Sequence, residues 1–134
     1  MCPHTASCRC GAIRFEAHSE PVFTGYCHCD DCRRATGSPV AAFVGFHTQD
    51  AAFSGATPAT YGKTPVKRSF CAACGAPLAY ADERLPDRIF IMLGAMDAPD
   101  NYPPSMHSYA GSALSFFHID DDLPRLEANA VPRP

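Results

Sequence analysis

The chain has 134 residues, about one ordinary domain, and is long enough to bury roughly two-thirds of its unfolded surface without staples. Eleven Lys and Arg against fourteen Asp and Glu leave it slightly negative, so no global field draws it to nucleic acid or acidic lipid, and a nucleic-acid-binding zinc finger is disfavoured. The longest apolar run, residues 89–96, falls far short of the roughly 18 residues of a membrane-spanning helix, so a soluble protein with no membrane partner is expected.

From its N-terminus the sequence reads as an all-β chain with little helix, folded as one domain over residues 1–134. Residues 1–8 have no basic stretch followed by an apolar run and do not read as a signal peptide, which points to a reducing, cytoplasmic setting. Residues 12–18 alternate apolar and polar with period two and predict a half-buried strand with Ile13 and Phe15 inward. A short helix is predicted over residues 31–36, with Asp30 as N-cap, Arg33 and Arg34 near its C-terminal end and Gly37 as a left-handed stop. Thirteen prolines and nine glycines chop the remainder into short pieces, giving strands at residues 40–46, 57–61, 66–70, 78–81, 88–93 and 115–119. Residues 120–134 are acidic, then Pro-rich, and lack periodicity; they are expected to form a poorly structured tail that hugs the surface or frays.

The chemistry lies in the cysteines. Seven of eight fall into three clusters: Cys8 and Cys10, then Cys27, Cys29 and Cys32, then Cys71 and Cys74. Cys-x-Cys neighbours are poorly placed to bridge each other, so the clustering favours a metal such as zinc over the alternative of a disulfide scaffold. Seven thiolates divide into one closed site of four and one open site of three. Cys71-Ala72-Ala73-Cys74-Gly75 has the form of a zinc knuckle, and Cys8-Arg9-Cys10-Gly11 shares its cysteine-then-glycine ending. Cys27, Cys29 and Cys32 arise within six residues and can converge on one ion unaided, leaving a position for water or a substrate thiol. The opposing reading has a histidine completing a second closed site.

His28 lies between two ligands and in an extended segment points away from the ion, as a group supporting the ligands; His107 lies in a loop-like polar stretch and is a further candidate. Arg9, Arg33, Arg34, Lys67 and Arg68 all lie within a few residues of a ligand, where they can relieve the negative charge of the thiolates. Arg33 and Arg68 are the first choices for gripping an anionic substrate. Cys2 is read as an incidental thiol.

Three stretches, Ser7-Cys8-Arg9-Cys10-Gly11, Tyr26-Cys27-His28-Cys29-Asp30-Asp31-Cys32-Arg33 and Arg68-Ser69-Phe70-Cys71-Ala72-Ala73-Cys74-Gly75, resemble the glutathione-dependent formaldehyde-activating enzyme (GFA) family, which also includes centromere protein V. The resemblance implies a β-tent of several short antiparallel sheets and two Zn2+ ions. It assigns the structural ion to Cys8, Cys10, Cys71 and Cys74, and the catalytic ion to Cys27, Cys29 and Cys32. It implies a carbon-sulfur lyase acting on the adduct of a small thiol partner, glutathione, with formaldehyde or a related carbonyl, with His28 or His107 moving a proton. The chain has no tryptophan, whereas many relatives carry one near residues 115–117; Phe116 and Phe117 are expected in its place. The rival readings are a non-catalytic zinc-binding interaction module and a redox-sensitive zinc protein.

Overall fold

In the computed structural model, which describes residues 3–133, the strands are His4–Ser7 (β1), Ile13–Ala17 (β2), Phe23–Cys27 (β3), Ala41–His47 (β4), Ala51–Gly55 (β5), Ala59–Tyr61 (β6), Val66–Phe70 (β7), Pro77–Asp82 (β8), Arg88–Met92 (β9) and His107–Ser108 (β10). The α-helix is Asp30–Thr36 (α1), and the fold is mostly β, as the sequence led us to expect. In β2 the alternation is complete: Ile13, Phe15 and Ala17 are buried, and Arg14 and Glu16 are exposed. That strand sits between β1 and β5 in an antiparallel three-stranded sheet.

The other seven strands form a second sheet in the order β10-β3-β4-β9-β8-β7-β6, antiparallel except for the short parallel pairing of β10 with β3. Side chains alternate across a strand, so neighbours such as Phe43 and Val44, Ala79 and Tyr80, and Phe90 and Ile91 serve opposite faces. Val44, Phe46, Ala79 and Ile91 pack with Ala6, Phe15 and Ala17 of the small sheet to make the main core. Phe43 and Phe90 turn to the other face, where they pack with Cys27, Cys32 and Val131, and where Tyr80 joins them. This double duty explains why residues 43–46 of β4 are all buried.

Helix α1 ends as expected on Gly37, whose φ of 70° is left-handed and whose N–H donates to the Arg33 carbonyl. Its start differs. Asp30 is the first helical residue, and the cap is Cys29, whose Sγ accepts from the Cys32 amide at 3.2 Å. Strand β6 is shorter than expected because Pro58 has no N–H to pair. Residues 115–119 form no strand: they find no partner edge, and Phe116 is left 76% exposed. It therefore cannot stand in for a buried tryptophan.

After β10 the chain runs to residue 133 without a further strand or α-helix, but it is stitched down. The His107 amide donates to the Pro124 carbonyl, Leu126 to His107, Ala110 to Leu126, and Tyr109 to Ala128. Val131 is buried among the side chains on the outer face of the large sheet. Among the described residues no helix is long and apolar enough to cross a membrane.

Candidate metal centres

Two groups of sulfurs converge, and they are built differently. Cys8 and Cys10 lie in the turn between β1 and β2, while Cys71 and Cys74 lie in the turn between β7 and β8, so the four-cysteine group joins the two sheets. Each turn curls through a glycine in the left-handed region. Gly11 at φ 81° donates to the Cys8 carbonyl, and Gly75 at φ 76° to that of Cys71. The curl turns amides toward sulfur. The Ile13 N–H, 3.3 Å from Cys8 Sγ, holds that thiol below its ordinary pKa, and the Ala76 amide brings Cys74 down to about 6.

A tetrahedron with zinc–sulfur arms of about 2.3 Å has edges of about 3.8 Å. Cys10 Sγ lies 3.6 Å from Cys8 Sγ and 3.8 Å from Cys71 Sγ. The donor set and its spacing therefore fit a closed tetrahedral metal site. None of the seven described cysteines is in a disulfide, and Cys2 lies outside the described residues.

The second group comes from one stretch of chain. Cys27 ends β3, Cys29 caps α1 and Cys32 sits in its first turn, with all three sulfurs within 4.8 Å of one another and Cys27 Sγ 3.4 Å from Cys29 Sγ. No histidine or carboxylate among the described residues joins them. Thiols this close and this buried share protons. Donation first from Cys27 and then from Cys32 pulls the Cys29 thiol down to about 2, while the same sharing with Cys29, aided by burial, drives Cys27 up. All three ionise together only with a cation among them, which is what a metal site of three thiolates supplies.

Arg68, on β7, reaches this group. Its Nη2 lies 2.7 Å from Asp31 Oδ2 and 3.4 Å from Cys32 Sγ, with its guanidinium 5.0 Å from the centre of the Tyr80 ring. Beside it opens a cavity of about 530 Å³ lined by Cys27, Cys29 and Cys32 together with Arg68, Tyr80 and Tyr109. That lies within the roughly 300–1,000 Å³ usual for small-molecule sites. None of the four cysteines of the other group lines it.

The remaining expected residues divide. Arg33 does not line the cavity; its Nη2 is turned to Asp30, 3.3 Å away, and Asp30 also accepts from Arg34. His28 and His107 meet each other instead, Nε2 to Nδ1 at 2.8 Å with rings stacked, and they line a separate hollow with Arg125 and His118. A carboxylate only accepts, so His107 donates from Nε2 to Asp121 at 3.0 Å, and in that tautomer its Nδ1 accepts from His28. Burial first, then the neighbouring His107, pushes the His28 pKa down. This chain of hydrogen bonds fastens the Cys27–Cys29 segment to the C-terminal stretch, and neither ring lines the 530 Å³ cavity.

Two arginines of the cavity went unforeseen, Arg84 and Arg133, both tied to Asp82. Neither is near a cysteine in sequence. The readable signal was Tyr80-x-Asp82, which period-two alternation places on one face of β8 with Arg84 just beyond it.

The model of the family described as glutathione-dependent formaldehyde-activating enzyme matches residues 3–112, which contain both cysteine groups. The chain belongs to that family. Its fold is shared with a crystal structure of a Rhodobacter sphaeroides protein, at a TM-score of 0.55 and 19% identity, over 90% of this chain and 98% of that one. No curated protein matches the chain. The family match stops before the stretch that brings Asn129, Val131 and Arg133 to the cavity wall, so part of this member's candidate site lies outside the matched region.

Proposed function

We propose that this GFA-family protein is a zinc-dependent carbon-sulfur lyase-type enzyme whose reaction takes place in the cavity beside Cys27, Cys29 and Cys32. A small thiol such as glutathione joins, or leaves, the carbon of formaldehyde or a related small carbonyl. The observation that supports this most is the contrast in surroundings: the three-sulfur group opens on a cavity of about 530 Å³ and has no fourth protein ligand among the described residues, whereas the four-sulfur group completes its own donor set. Zinc held by the three sulfurs would act as a Lewis acid that favours the thiolate of a bound thiol at neutral pH.

The chain's own groups account for the rest. Arg68 offsets the negative charge of the sulfurs and is itself held by Asp31. Tyr80, Phe43 and Phe90 form an apolar wall that keeps water from the carbon–sulfur bond. As sulfur adds to the carbonyl carbon, the oxygen needs a proton. Ser108, Tyr80 and Tyr109 line the cavity and carry hydroxyls that can supply it, in place of His28 and His107. Tyr109 is held at a left-handed φ of 53° and donates to Asn129 Oδ1 at 2.9 Å, which fixes its ring against the cavity.

The test is calorimetric titration of the zinc-loaded protein with glutathione, together with the rate of hemithioacetal exchange measured against the uncatalysed background. Binding and a rate above background are expected. A protein holding two zinc ions that neither binds glutathione nor changes the rate contradicts the proposal.

A further inference from the structure

Asp82 is among the most buried charged groups described, with no exposed side-chain surface, and it is surrounded by donors. Arg84 gives it Nε at 2.9 Å, Nη2 at 2.8 Å and its backbone N–H at 2.9 Å. Arg133 adds Nε at 3.2 Å and Tyr80 its hydroxyl at 3.2 Å. The remaining contacts of Arg133 are Nη1 to the Val131 carbonyl and Nη2 to the Tyr80 oxygen at 3.4 Å.

A guanidinium has five N–H groups, so about five remain uncommitted between the two arginines among the described residues. Two positive charges face one negative charge, and that negative charge is sealed behind them. Both arginines line the cavity. Fixed, partly desolvated guanidiniums with unspent donors and a net positive charge are the arrangement that binds a planar anion through paired hydrogen bonds. The Tyr80 ring relates this pair to the metal-binding end: Arg68, in contact with Cys32, lies 5.0 Å from its centre, and Arg133 lies 6.0 Å from it. At the cysteine end Arg68, Arg33 and Arg34 face Asp31 and Asp30, and three thiolates around a divalent ion add the one further negative charge that balances the third arginine. The surplus of positive charge is therefore at Arg84 and Arg133.

We propose that Arg84 and Arg133, held in place by Asp82, form a carboxylate-binding subsite, and that the substrate is a thiol carrying a carboxylate with an apolar stretch between the two. The sulfur end rests on the proposed function above; the carboxylate end does not. Arg133 lies beyond the region the family model matches, so this recognition is a feature of the chain's own C-terminal stretch.

The experiment is calorimetry on the zinc-loaded full chain with two matched pairs: 3-mercaptopropionate against its amide, and thiol-free 3-phenylpropionate against its amide. Each acid should bind about tenfold tighter than its amide. The preference should fall to about threefold or less in Arg133→Gln and in Arg84→Gln, and return in part in Arg133→Lys, which keeps the charge without the fork. Melting curves and zinc content of every variant identify any that do not fold, and Arg133→Lys carries the test if the glutamine variants fail. Acids that bind no better than amides, including no binding by either, overturn the subsite, as does a preference that stays at its full value in Arg133→Gln and Arg84→Gln or, where those do not fold, in Arg133→Lys. An acid preference in the thiol-free pair with no added affinity from the thiol supports the subsite and counts against the thiol reading alone.

Discussion

The two cysteine groups use the same ligand chemistry and differ in everything around it. Cys8, Cys10, Cys71 and Cys74 come from turns of two different sheets, are fixed by glycines and amides, and make a complete set of four. Cys27, Cys29 and Cys32 come from one stretch, are three in number, and face a cavity with Arg68 beside them. Thiolates contributed from afar tie parts of a fold together. Thiolates contributed locally leave the fold to other forces and free a position for chemistry.

Substitution should separate the two most widely at Cys71. Cys71→Ser is expected to cost more than about 4 kcal/mol in denaturant unfolding, because it undoes a link between sheets, and to lose that group's metal. Asp82→Asn comes next, at about 3 kcal/mol, since it strands two arginines around a neutral group while leaving both metals bound. Arg84 first, then Arg133 and Tyr80, hold the Asp82 carboxyl well below its ordinary range against the effect of burial. A depressed pKa contributes stability above the unfolded value of about 3.9 that is lost as pH falls through the folded value, so the deficit of Asp82→Asn should shrink below about pH 4.

His107→Phe probes the fastening of the three-cysteine segment alone. It leaves the buried His28 N–H without an acceptor and is expected to cost about 2 kcal/mol, with the metal of the three-cysteine group lost to chelator sooner than in the parent. Cys29→Ser should cost only about 1 kcal/mol, because serine is itself a favoured N-cap for α1, yet it should remove one metal and all thiol binding. If Cys29→Ser unfolds the protein as Cys71→Ser does, the contrast between the groups is broken. Phe116→Ser, on an exposed loop, should change stability by less than about 0.5 kcal/mol and leave ligand binding unchanged.

Much of this was legible because it is local. The period-two alternation of β2, the Gly37 stop and the grouping of seven cysteines each depend on residues a few positions apart. Strand β3 was hidden because Phe23-Thr24-Gly25-Tyr26-Cys27 carries a glycine and follows Pro21, a pattern that reads as a turn, and its strand character comes from pairing with β4. The expectation of Arg33 rested on closeness in sequence to a ligand. What decides access to the cavity is instead which face of β7 or β8 a residue occupies, and Arg68 and Tyr80, paired across those strands, show it. Asp30 as cap gave way to Cys29 for a related reason: a sulfur acceptor already stood where the first free amides of α1 point.

The most direct test of an open three-cysteine site is the visible spectrum of the cobalt-substituted protein titrated with glutathione, run beside Cys29→Ser. A new thiolate-to-cobalt band corresponding to one of two bound ions, absent from the variant, is the result expected. Two bound cobalt ions whose spectrum does not respond to the thiol would contradict it.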